Sequence, residues 1–398
     1  MGDSQPIYLD HAATAPLDPR VAAIMSECLS DPALQANPAS AHAPGRAAAA
    51  RIEGARAQVA RLINAPPESI VFTSGATESV NLAILGAARA AGAAGRGLRH
   101  VVTSRIEHRA GLVACRQLER EGFEVTWLKP TADGRIDAAA VAEALRPDTA
   151  LVSLMHANNE TGALTDIDAV AACCRDRGVV FHTDAAQSAG KVPIDVVASG
   201  VALLSFCAHK LGGPKGIGAL YVRRRPRPAL QALQFGGGHE GGLRSGTLAT
   251  HQVIGFGAAC ALASGAIAQD AARIRALRDR LWLGLQGAAP LWRNGAAESS
   301  LPAILNVGFA GIEGESLLLE LDGRLAVSSG AACASATAEP SYVLRSLGRS
   351  DEAIQASLRL SLGRGTTATE IDRAARILVD GVRRLRSALP AGALERIA

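Results

Sequence analysis

Lys210 stands in the run Ser205-Phe-Cys-Ala-His-Lys-Leu-Gly-Gly-Pro-Lys-Gly, at the end of an apolar stretch and ahead of Gly212, Gly213 and Gly216. A long cationic side chain is seldom buried at such a position without a covalent or ionic partner. A Schiff-base lysine is one such case, and the glycines leave room for a flat ring beside it. A surface lysine in a Gly-rich turn is the alternative that this stretch alone leaves open. Asp184 closes the run Phe181-His-Thr-Asp and is followed by Ala-Ala-Gln187. A carboxylate at the end of a buried strand is costly unless it meets a cation, and a protonated pyridine nitrogen would supply one. An Asp that merely caps the next helix is the alternative. With Asp184 and Lys210 on neighbouring strand ends, the chemical reading outweighs both alternatives.

Two further stretches add donors and a nucleophile. Ser74-Gly-Ala-Thr-Glu78 lies where a strand turns into a helix. Free backbone N–H groups and the positive helix end suit a phosphate there, and Thr77 adds a hydroxyl; a Ser/Thr-Gly turn that only caps a helix reads equally well. Ser328-Ser-Gly-Ala-Ala-Cys-Ala-Ser-Ala puts one thiol, Cys333, among small residues. That segment offers little to pack and is expected to be mobile, unlike a buried structural cysteine. A cysteine in an ordinary small-residue turn is the competing reading, which the Lys210–Asp184 pair disfavours.

These residues need elements to hold them. Strand-like runs are read at Ser69–Thr73, His100–Ser104, Phe123–Leu128, Ala150–Met155, 179–183, 202–206 and Gly218–Val222, with helical patterns after the first and second and at 166–177. Such alternation predicts an α/β domain with a mainly parallel, buried sheet. Beyond it, Ile274, Leu277, Leu281 and Leu285 fit an amphipathic helix. A strand at 303–309, a helix at Gly314–Leu321 and a last helix opening on the capping box Thr367-x-x-Glu370 follow. This part is expected to be a smaller α+β domain. The division expected is 16–258 for the large domain, and 1–15 with 259–398 for the small one.

Composition narrows the function classes. A net charge of +4, evenly spread, gives no case for nucleic acid, and Arg223-Arg-Arg225 with Arg227 lacks interleaved aromatics and reads as a solvated loop. Aromatic residues are only 3%, so the core must use small aliphatic side chains at close backbone approach. Seven cysteines without a C-x-x-C pair support neither zinc nor a disulfide framework, and point to a reducing cytoplasm. No apolar run reaches the roughly 18 residues of a membrane span, and the polar N-terminus lacks a targeting core.

Tyr8-Leu-Asp-His-Ala-Ala-Thr, Asn37-Pro-Ala-Ser, Phe72-Thr-Ser-Gly-Ala-Thr-Glu-Ser, Met155-His-Ala-Asn-Asn-Glu-Thr-Gly, Gly236-Gly-Gly-His-Glu, Arg244-Ser-Gly-Thr247 and the Cys333 segment occur in order. Together they resemble the NifS/IscS-type cysteine desulfurases, class V aminotransferase-like enzymes of fold-type I that depend on pyridoxal 5'-phosphate (PLP). The resemblance runs from about Tyr8 to about Leu385. It implies a fold-type I transferase with a seven-stranded, mainly parallel sheet. Lys210 would hold the cofactor and move substrate protons, Asp184 would pair with the ring nitrogen, and Gln187 and Asn159 would face the phenolic oxygen. His108 would stack on the ring and act as acid or base. Ala76, Thr77, Cys207 and His209 would surround the phosphate, with Thr247 donated by the second subunit of a homodimer. Arg359 would clamp the substrate carboxylate, helped by Asn159, because a bidentate fork suits that group. Cys333 would take sulfur from L-cysteine as a persulfide and pass it to an acceptor protein such as an Fe–S scaffold; no metal, membrane or direct nucleic-acid partner is expected.

The chain departs from the family in two places. Cys207 replaces the usual Ser of Ser-Phe-Ser-x-His-Lys, a weaker donor toward phosphate, and Gly242 stands where an Arg is usual. Another fold-type I activity, such as an aminotransferase, would not need a thiol like Cys333; a selenocysteine lyase stays open. A sulfur carrier without turnover is disfavoured by the intact Lys210, Asp184, His108 and Cys333.

Overall fold

The structure, a computed structural model, describes residues 6–95, 97–329 and 340–389; the expectations placed on Cys333 lie outside them. Among these described residues thirteen strands run in chain order: β1 (Ile7–Tyr8), β2 (Ile70–Thr73), β3 (His100–Ser104), β4 (Glu124–Leu128), β5 (Thr149–Met155), β6 (Val180–Asp184), β7 (Leu203–Cys207), β8 (Gly218–Val222), β9 (Leu291–Asn294), β10 (Ile304–Phe309), β11 (Leu325–Ala326), β12 (Ser328–Ser329) and β13 (Ser357–Ser361). Seven of them form one sheet in the order β2-β8-β7-β6-β5-β3-β4. Only β8 runs antiparallel to its neighbours, so the sheet is mainly parallel, as its apolar runs predict.

Apart from the half-exposed edge strand β4, the strands are buried on both faces because helices cover both. Successive residues alternate between two apolar layers: Val71, Val101, Leu151 and Leu203 pack on one side, and Phe72, Val102, Val152 and Leu204 on the other. The helix Ala76–Ala93 supplies the first layer with Val80, Leu82 and Ile84. In the second layer the helices Ala43–Arg61 and Thr250–Ser264 cross so closely that a Cβ on Gly257 would come within 2.7 Å of the Ala55 Cα. This is the close approach that an aromatic-poor composition requires. Phe256 fills the remaining space, edge-on to Phe206 at 5.5 Å and to Phe72 at 6.5 Å. Cys260 and Ala263, at the far end of Thr250–Ser264, stay in this larger core.

A second core sits under the four-stranded antiparallel sheet β12-β13-β10-β9. Leu305 and Val307 of β10 and Leu358 and Leu360 of β13 meet Ile274, Leu277, Leu281 and Leu285 of the predicted amphipathic segment, now the helix Ile267–Gly284 and one 3-10 turn. The helix Ala368–Ser387 closes this core with Ile371, Leu378 and Val382. Its capping box is formed, Glu370 N–H donating to Thr367 Oγ1 at 3.2 Å and Thr367 N–H to Glu370 Oε2 at 2.8 Å. The N-terminal β1 pairs with β11, and Ile7 and Leu9 join the same core. No single helix among the described residues is long and apolar enough to cross a membrane.

Candidate active site

A cavity of about 520 Å³ opens at the C-terminal edge of the large sheet. The chain passes from β3 outward to β4 and then returns to the other side of β3 as β5. Open α/β sheets hold ligands at such a reversal of strand order.

Asp184 ends β6, and its carboxylate forms part of the cavity wall while only 8% exposed. Its Oδ1 accepts the Ala186 N–H at 2.8 Å. Two residues earlier on the same strand face, His182 is sealed in the sheet between the Ser153 and Ser205 hydroxyls at 2.8 and 2.9 Å. Burial pushes the His182 pKa down to about 3, so this ring is neutral. The strand layer beneath Asp184 therefore brings it no charge, and the cation that offsets a buried carboxylate has to come from the cavity side.

His108 caps the helix Arg109–Arg120, its Nδ1 accepting the Ala110 N–H at 3.2 Å. An accepting Nδ1 carries no proton, so the neutral ring holds its proton on Nε2. Burial keeps His108 below the usual histidine range, with Asp184 pulling partly the other way. The preceding Glu107 is buried against Ser104, and desolvation raises its pKa to about 8.

The loop after β5 separates two asparagines by task. Asn158 organises the turn: its Oδ1 accepts the Glu160 and Thr161 N–H groups and its Nδ2 donates to the Ile106 carbonyl. Asn159 lines the cavity with a buried Oδ1 that has no partner. Its backbone oxygen accepts from Arg359 Nη1 at 3.0 Å, while Arg359 Nη2 donates to Asp10 Oδ1 at 2.9 Å. Arg359 is among the cavity-lining residues, and its Nε is buried and unpartnered. An orphan donor and an orphan acceptor in one wall are what a bound polar molecule would satisfy.

Lys210 and His209 follow β7 and line the same cavity, as does Gln187. His209 Nδ1 faces the Thr14 hydroxyl at 3.1 Å, and burial with nearby lysines lowers its pKa to about 4. Ser74–Thr77 form the opposite wall, where Gly75 caps the helix Ala76–Ala93 and the first-turn N–H groups are free of helical partners. Gly218 at the start of β8 permits this turn: a Cβ there would lie 2.6 Å from the Gly75 carbonyl carbon. Glu78 pins the turn by accepting the Ser74 N–H at 2.6 Å and pairing with Arg244 at 2.9 Å.

Ala76, Thr77, His108, Asn159, Asp184, Gln187, His209, Lys210 and Arg359 are thus brought to one cavity. Cys207 is not among its lining residues; it is buried at the end of β7, where desolvation raises the thiol pKa. Thr247 is exposed and faces a separate depression with Cys28, Asn37 and His251. Asp10, Asn158, Thr14, Lys191 and the Glu78–Arg244 pair escaped sequence reasoning. Asp10 and Thr14 sit in the Tyr8-Leu-Asp-His motif, which was the available signal. Among the described residues no group of three His, Cys, Asp or Glu could hold a metal ion.

Residues 7–374 match the aminotransferase class-V family. The chain is 55% identical over 386 residues to the cysteine desulfurase IscS of Pseudomonas aeruginosa (strain LESB58), covering 97% of this chain and 95% of that protein. Among solved structures it superposes on a NifS-like protein with a TM-score of 0.87 at 31% identity, covering 96% of this chain and all of the other. It also superposes on SspA in complex with cysteine, with a TM-score of 0.77 at 36% identity over 89% of this chain and 98% of that one. The chain belongs to the aminotransferase class-V family and, within it, to the PLP-dependent cysteine desulfurases of the NifS/IscS type. The cavity fits that cofactor: Asp184 offers the carboxylate for a ring cation, the Ser74–Thr77 turn offers N–H donors for a phosphate, and Lys210 offers the amine.

Proposed function

We propose that this protein removes sulfur from L-cysteine, converting L-cysteine and the Cys333 thiol into L-alanine and a Cys333 persulfide. The balance is closed: the substrate C–S bond breaks, an S–S bond forms, and the thiol and amino-acid protons are redistributed without an outside oxidant. The observation that carries the reading is the meeting of Asp184, Lys210 and His108 with the unpartnered Arg359 Nε and Asn159 Oδ1 at one cavity.

PLP, when bound, supplies an electron sink for the pair left at the substrate Cα. The chain's residues do the rest. Asp184 holds the ring nitrogen's proton by its charge. Arg359 receives the substrate carboxylate through Nε, its other two nitrogens being held by Asp10 and Asn159. His108 presents Nε2–H toward the cavity as a proton carrier, and Lys210 moves the Cα proton. Ala76, Thr77 and His209 bind the phosphate, with Cys207 behind them. Thr247 completes the phosphate site of the other subunit in a homodimer. The persulfide is passed to an acceptor protein such as an Fe–S scaffold, in the cytoplasm.

The test mixes purified protein with L-cysteine and a thiol reductant and quantifies sulfide and alanine for wild type and Cys333→Ala. Equal sulfide and alanine from a yellow protein, lost in the variant, supports the reading; no alanine from a cofactor-loaded wild type overturns it.

A further inference from the structure

Gln187 is held from both ends of its amide. Its Nε2 donates to the Ala12 carbonyl at 2.8 Å, and its Oε1 lies 3.3 Å from Lys191 Nζ. A carbonyl oxygen only accepts, so the amide nitrogen must face Ala12, and Lys191 Nζ, a donor in either charge state, meets Oε1. Nε2 carries two hydrogens. With one given to Ala12, the second is available on the cavity side, where Gln187 forms part of the wall beside Lys210 and Asp184.

Lys191 occupies an expensive position for this task. The charged and titratable groups that face it are Lys210, Arg359, Cys207, His11 and His209. Burial and the like charges of Lys210 and Arg359 push its pKa down to about 7. It also lines a second, mostly apolar cavity of about 360 Å³ that lies against the other side of Lys210. Packing does not explain a lysine among cations, and costs of this kind collect at functional sites.

We propose that Lys191 is a positioning residue: it fixes the Gln187 amide so that its second N–H faces the phenolic oxygen of the bound cofactor. This rests on the PLP reading of the cavity. Lys191 itself touches neither the ring nor the substrate. It acts by holding Oε1 away from the cavity, so that the ring oxygen meets a donor and not a second acceptor. A donor at that oxygen favours its anion, which sets the pH at which the bound cofactor changes colour.

The experiment compares holoenzymes of wild type, Lys191→Met, Gln187→Leu, the double variant and Lys191→Gln, which keeps an N–H donor without the charge. The visible absorbance of the bound cofactor is titrated with pH, and cofactor loss on dilution is followed. Gln187→Leu is expected to raise the midpoint by about half a pH unit or more. Lys191→Met is expected to raise it in the same direction, the double variant to match Gln187→Leu alone, and Lys191→Gln to return toward wild type. If Gln187→Leu shifts the midpoint and a loaded Lys191→Met does not, or if the two effects add, the role of Lys191 is overturned while the cofactor reading stands. An unchanged Gln187→Leu overturns the cofactor reading at Gln187 and Lys191 with it. Lys191→Ala takes the place of the methionine variant if that protein does not load cofactor.

Discussion

Arg359 of β13 and Asp10 of the N-terminal segment, 349 residues apart, meet at 2.9 Å and fix one edge of the guanidinium. Asn159 O takes a second nitrogen, leaving Nε as the one guanidinium nitrogen without a partner. A lysine at this position supplies charge without the planar fork. Arg359→Lys is therefore expected to raise KM for L-cysteine about tenfold or more, the loss of one charge-assisted hydrogen bond. Asp10→Asn, which keeps the shape and weakens the hold, should raise KM by a smaller factor. Steady-state kinetics on alanine formation decides both.

Capping and chemistry can be separated at His108. His108→Asn keeps a side-chain acceptor for the Ala110 N–H, and Asn is among the best N-caps. Its melting temperature should stay near wild type while kcat falls about a hundredfold, in the range of a lost acid–base group. His108→Ala should lose the same kcat and, in addition, about 1 kcal/mol of stability from the missing cap. Equal stability losses in the two variants would show that the cap is immaterial.

Glu107 gives the fold a pH dependence of defined sign. Its pKa is raised from the ordinary 4.5 to about 8 by burial. The folded protein thus holds a proton that the unfolded chain releases above about pH 4.5, and stability from this group is full below that value and lost as pH rises through 8. Glu107→Gln, a neutral stand-in for the protonated acid, should gain on wild type as pH is raised from 5 to 8. A relative rise in melting temperature of about 2 °C is expected. A gap that is constant with pH counts against a protonated Glu107.

Gly218→Ala tests the wall that faces Lys210. The added methyl meets the Gly75 backbone at 2.6–2.7 Å, and backbone cannot swing aside as a side chain can. The Ser74–Thr77 turn has to shift, with a cost of about 1–3 kcal/mol for overpacking. Cofactor affinity measured by fluorescence titration should fall several-fold, more than for Gly54→Ala, whose Cβ meets nothing within 4 Å.

The buried runs of the large sheet were readable because β-branched and aromatic residues sit between turn formers; β2, β3 and β8 fall within a residue of their expected limits. The motifs likewise brought Asp184 and Lys210 to adjacent strand ends. β13 was not recognised as a strand. Ser357-Leu-Arg-Leu-Ser alternates, but its pairing with β10 brings together residues some fifty positions apart, and nothing local announces it. The helix Ala43–Arg61 went unread because alanines and arginines blur its apolar face. Pairs such as Asp10–Arg359 join positions 349 residues apart within the smaller core, which no local spacing encodes. Cys207 shows the converse: a motif named it as a contact, while the fold buries it below the cavity wall.

Lys210, Asp184, His108, Gln187 and the Ser74–Thr77 turn all hang from one sheet, whereas Arg359 arrives on the other, steadied by Asp10 beside β1. The two halves of the cavity are bolted to different foundations, with the Asn159–Arg359 hydrogen bond as a latch between them. A slide of one foundation by a fraction of an ångström would open the grip on a small amino acid and leave the anchorage of the larger tenant untouched. Such a site can let go of product many times without letting go of its tool.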